Sequence, residues 1–175
     1  MKKTLMTILV SGLMLASCSK QEVSDNPLLQ KWDTPFETAP FEKIKVEHYL
    51  PAFEAAIAEH NKEIQAIIDN AEAPTFDNTI AALDYSGETL SKVAGVFFNM
   101  MAANTSEELQ KVNEQVGPMM ATHSDNVSMN AKLFEKIKAV YDAKDSQKYT
   151  GEQLALLEKT YNKFVRSGAL LDAAK

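Results

Sequence analysis

Three histidines, His48, His60 and His123, and one cysteine, Cys18, have the widest chemical reach in this sequence. A zinc site needs three or four converging His, Cys or carboxylate ligands. The pattern H-E-x-x-H, in which two histidines one turn apart hold zinc beside a glutamate base, does not occur. The nearest approach is His60-Asn61-Lys62-Glu63, with Glu59 alongside. His60 and Glu63 share a helix face, which makes two ligands and no more. His60 also falls on an apolar stripe, so a packed ring bonded to a neighbour is expected instead. His48, beside Glu47, reads as a helix-start residue. His123 reads as a partly buried polar contact with Asp125. Glu107, Glu108 and Glu114 read as solvated helix faces, and the pairs Met100-Met101 and Met119-Met120 as core filler. Glycine-rich phosphate loops and the G-x-S-x-G nucleophile turn are absent. No catalytic or metal-binding residue is expected in this chain.

Cys18 has a different chemistry. Lys2 and Lys3 precede an apolar run, Leu5 to Ala16, too short to span a bilayer but suited to a signal-peptide core. The run ends in Leu15-Ala16-Ser17-Cys18, which resembles the bacterial lipoprotein box. The resemblance implies cleavage before Cys18, diacylglyceryl on its sulfur and an acyl chain on the new amine. More than one chain is needed for stable anchoring. The expected organisation is a signal peptide over 1–17, a flexible tether over 18–27 and a helical domain over 28–175, in a membrane-anchored lipoprotein of the bacterial cell envelope. A single cysteine excludes a disulfide within the chain. The formal charge of −6 offers no broad attraction to phosphate backbones, so no nucleic acid is expected as a partner.

The elements that must carry these side chains read as helices. Composition is that of a globular domain, 45% hydrophobic and 24% charged. After the prolines at 27, 35 and 40, where Leu28, Leu29, Trp32 and Phe36 are expected to dock an extended lead-in, a 3.6-residue period begins. Val46, Tyr49, Leu50, Phe53, Ile57, His60, Ile64, Ile67 and Ile68 predict a helix over about 46–70. Ile80, Leu83, Gly87, Leu90, Val93 or Ala94, Phe97, Phe98 and Met101 predict a second over 78–103, with Gly87 and Gly95 compensated by close helix approach. Thr105 to Glu108 reads as a capping box opening a third helix, which Pro118 should bend or break. Asn130 or Met129 opens a fourth, with Leu133, Phe134, Ile137 and Val140. Thr150-Gly151-Glu152-Gln153 caps a fifth, and Gly168 fits the left-handed position after it. The expectation is an all-α, antiparallel assembly of about five helices. Residues 169–175 read as the opening of a further helix, which suggests a fragment truncated at its C-terminus.

Val46-Glu47-His48-Tyr49-Leu50-Pro51-Ala52-Phe53-Glu54 begins a longer likeness. It continues through Pro74-Thr75-Phe76-Asp77-Asn78-Thr79-Ile80, Ser86-Gly87, Pro118 with His123, Leu133-Phe134, and Phe164-Val165-Arg166-Ser167-Gly168-Ala169-Leu170. In this order the segments resemble the amino-terminal region of the thimet oligopeptidase family of zinc metallopeptidases, which includes oligopeptidase A and peptidyl-dipeptidases. The resemblance implies the N-terminal helical lobe of a larger, mostly helical peptidase that walls a channel for short peptides. It implies zinc in the full-length protein but none bound here, and the rest of the peptidase chain as packing partner. The alternative is a self-contained helical lipoprotein that binds a peptide or protein without catalysis, or serves as a scaffold.

Overall fold

The structure, a computed structural model, describes residues 25–170, and among these no strand occurs. Cys18, the signal segment and the chain's last five residues lie outside the described residues. The elements are α1 (Tyr49–Asp69), α2 (Ala82–Tyr85), α3 (Glu88–Ala103), α4 (Glu107–Ser128), α5 (Ala131–Asp142) and α6 (Gly151–Arg166). Five of the six are long, and the architecture is all-α. A 3-10 turn over Val46–His48 leads into α1, and the His48 Nδ1 accepts the Lys45 backbone N–H at 3.0 Å. Pro51 sits in the first turn of α1, where its missing N–H costs nothing.

α1 is the central helix, packed against α3, α4 and α5. Tyr49 and Phe53 at its start meet Phe97 near the end of α3, with ring centroids 5.0 and 5.4 Å apart, so α1 and α3 run antiparallel. α5 and α6 are also antiparallel. Tyr141 stacks on Tyr161 at 3.8 Å, and Phe134 lies against Phe164 at 6.2 Å. These contacts build two apolar clusters. One joins Leu28, the first half of α1, α3 and the first half of α4; the other joins Ile64 and Ile67 to Ile80, α5 and α6.

Several expectations are corrected. The predicted helix over 78–103 is two helices. A π-turn over Phe76–Ala81 and the short α2 end at Ser86, and Gly87, at φ 74°, opens α3. A left-handed residue cannot continue a right-handed helix, so Gly87 is a corner and not a stripe position. Gly95 has no neighbour within 4 Å of an added Cβ, so no helix approaches it closely. Pro118 does not interrupt α4, which runs unbroken through it. Pro118 and Glu114 are both exposed, so the Glu114 carbonyl that loses its donor can turn to water. The cap of α4 is Ser106, whose hydroxyl accepts the Leu109 N–H at 3.2 Å; Thr105 instead faces the Met101 sulfur.

The α1 stripe is also displaced: Ala52 and Ala56 are buried, while Leu50 and Ile57 are only half-buried. In the lead-in, Leu28 is fully buried, but Phe36 is 98% exposed at φ 60° and docks on nothing. Asn26, within the expected tether, is buried, and its side chain donates to the His48 carbonyl at 2.8 Å. Lys92 fastens the lead-in to α3 by donating to the Gln30 carbonyl and lying 4.1 Å over the Trp32 ring.

Candidate functional site

The polar side chains singled out by sequence meet between the two apolar clusters. On α1, Ala56 and Ile57 belong to one cluster and Ile64 to the other, with His60 between them. On α4, His123 stands between Met120 of the first cluster and Val127 of the second. The Ser86–Gly87 corner closes the third side. The His123 Nε2 lies 2.9 Å from the His60 Nδ1, and the His60 Nε2 lies 3.1 Å from the Ser86 Oγ. The Gly87 N–H donates to the Glu63 Oε2 at 2.7 Å. Helical spacing places His60 and Glu63 on one face of α1, and the break at Ser86 turns its hydroxyl and the next N–H toward that face.

The protons follow from the acceptors. The Ser86 hydroxyl donates to the Leu83 carbonyl at 2.7 Å, so its oxygen receives the His60 Nε2–H. The His60 Nδ1 then carries a lone pair and accepts the His123 Nε2–H. Each contact has one donor and one acceptor while both rings are neutral. Burial lowers the pKa of both histidines below the ordinary value. For His60, the His123 ring and Lys163 lower it further, while Glu63 opposes the shift. At neutral pH the chain of hydrogen bonds is therefore uncharged.

Two clefts flank this seam. One of about 460 Å³ is lined by Glu63, Ile67, Asn70, Asn78, Tyr85 and Ser86, among others. The other, about 340 Å³, is lined by Ile57, Asn61, Pro118, Met119, Thr122, His123 and Asn126.

Ser86, His60 and His123 have the order of a nucleophile, a base and an orienting group. Two hydrogen bonds oppose that chemistry. The serine proton is directed to the Leu83 carbonyl and not to the histidine, and the Gly87 N–H, where an oxyanion donor would stand, is held by the Glu63 carboxylate. The cluster is a fastening between helices. The zinc implied by the family resemblance does not fit these donors either. The facing nitrogens of His60 and His123 share one proton, Glu63 is engaged by Gly87, and among the described residues no three His, Cys, Asp or Glu side chains converge for a metal.

His60 lies on a packed face with a bonded neighbour, as its place on the apolar stripe predicts. The expected contact of His123 with Asp125 is replaced by one across to His60. Ser86 and Gly87, expected inside a helix, instead form the corner at the seam. The adjacent serine and glycine inside an apolar period were the available signal, since that pair commonly marks a helix break.

Comparison with known proteins adds a separate finding. A family model described as "Neurolysin/Thimet oligopeptidase, N-terminal domain" matches residues 53–175. The chain is 38% identical over 149 residues to dipeptidyl carboxypeptidases of Salmonella typhimurium and Escherichia coli, covering 85% of this chain and 22% of each relative. It is 28% identical over 124 residues to oligopeptidase A of Escherichia coli, covering 71% of this chain and 17% of the relative. It thus spans about a fifth of the length of the curated relatives it matches.

Proposed function

Because this chain belongs to the neurolysin and thimet oligopeptidase N-terminal domain family, we propose that it is the amino-terminal helical wall of a peptidase that hydrolyses short peptides, held to the bacterial envelope by lipid on Cys18. The observation that carries the reading is the 38% identity that covers most of this chain and only a fifth of proteins named dipeptidyl carboxypeptidase. In that arrangement the remaining chain brings the zinc and the hydrolytic groups, and these residues shape access to them. Exposed Phe36, Tyr85, Met129 and Leu170 support the reading, since large apolar side chains left bare on a helical lobe suit contact with a further body. The lipoprotein box supports the anchor.

Purified residues 18–175, assayed with short peptides and added zinc, test the division of labour. No cleavage is expected. Cleavage abolished by a chelator and restored by zinc would refute it. Mass spectrometry of the chain made in a bacterium with lipoprotein processing should find Cys18 N-terminal and acylated, and an uncleaved or unacylated N-terminus would remove the anchor.

A further inference from the structure

The His123–His60–Ser86 chain has an open end and a closed end. Its closed end is the Ser86 hydroxyl, committed to the Leu83 carbonyl. At the other end the His123 ring is only 6% exposed, and its Nδ1 makes no hydrogen bond. Among the described residues every fully buried polar side-chain atom has a partner. The Nδ1 must therefore reach solvent, and His123 lines the cleft between α1 and α4.

We propose that this chain is an acid-operated latch: with both rings neutral it fastens α4 and the Ser86–Gly87 corner to α1, and proton uptake by the pair releases the seam between the two apolar clusters. The first proton arrives from water at the His123 Nδ1 and leaves the 2.9 Å bond to His60 in place, but puts a cation in a nearly buried ring. A second proton must go to the His60 Nδ1. That atom is already an acceptor, so its protonation turns the contact into two facing donors and the bond breaks.

The charges around the pair set its balance. Facing His60 are His123 from α4, Glu63 from α1 itself and Lys163 from α6, while the Ser86–Gly87 corner brings none; against His123, burial is the dominant influence. Glu63 can offset one positive charge but is already bonded to Gly87. The seam also lies where neither apolar cluster supplies continuous packing, so loss of the polar contacts opens it before either cluster.

Hydrogen exchange of the whole chain at pH 7.5 and pH 5, corrected for the intrinsic pH dependence of exchange, tests the latch. Segments 56–63, 83–90 and 119–126 should lose protection at least tenfold more than α5 on acidification. The loss should disappear in the double variant His60→Gln, His123→Gln, which keeps Glu63 and Lys163 but has no histidine to titrate at the seam. Equal protection at both pH values, or an undiminished acid loss in the double variant, would overturn the proposal. A second measurement needs no variant. The ring ¹⁵N shifts of the unaltered chain should show the seam opening as His60 becomes protonated, with His123 already charged, and opening while both rings stay neutral would overturn it as well.

Discussion

Gly87 shows most directly how single residues hold this fold. Its φ of 74° is a conformation that costs an L side chain about 1–2 kcal/mol. An added Cβ would also stand 3.0 Å from two atoms of the His60 ring. Gly87→Ala is expected to destabilise the domain by about 2–4 kcal/mol in urea unfolding, through both backbone strain and displacement of His60. The histidines give a pH dependence of definite sign. Their pKa values are lowered in the folded state, so the unfolded chain takes up protons more readily as pH falls. Stability is therefore full above about 6.5 and declines as pH drops toward the lowered folded values. Urea midpoints between pH 8 and pH 5 should fall on acidification, and His123→Gln should flatten the decline. Much at this scale was not legible in the sequence. Periodicity marked His60 as facing inward, but no local pattern says that a residue 63 positions along the chain will meet it.

The elements were far more legible, because helix ends are written in neighbouring residues. Asn130 accepts the Leu133 N–H, and Thr150 and Gln153 form the reciprocal box foreseen for α6. Gly168, at φ 96°, closes α6, with its own N–H on the Val165 carbonyl and that of Ala169 on the Phe164 carbonyl. Thr150→Ala should cost about 1 kcal/mol of stability, measured by thermal or urea unfolding. Proline was the misleading signal. Taken alone, Pro118 predicts a bend or a break, but α4 has buried residues on both sides of it, Leu109 and Val116 before and His123 and Ser128 after, and packing there outweighs one lost hydrogen bond. Pro118→Ala restores a donor to the Glu114 carbonyl at an exposed site, and a gain of about 1–3 kcal/mol is expected. At Ser86–Gly87 the reverse held. The apolar period continued across the corner, and it did not reveal that the backbone changes direction there.

Across the whole molecule, the periodic stripes gave the all-α class correctly, since helices so strongly sided have to pack on one another. The stripes did not reveal two apolar clusters with a polar seam between them, because a period records which face turns inward and not which partner it meets. Phe97 is fully buried, and Phe97→Ala should cost about 3–5 kcal/mol. Phe36 and Tyr85, at 98% and 81% exposure, should cost little in the isolated chain and more where a further body covers them. An antibody to residues 25–170, used on membranes of the source cells, tests the proposal that these helices serve a larger peptidase. Capture of a species several times the 19.4 kDa of this chain is expected, with short-peptide cleavage that a chelator removes. Capture of a 19.4 kDa species with no such cleavage would contradict it.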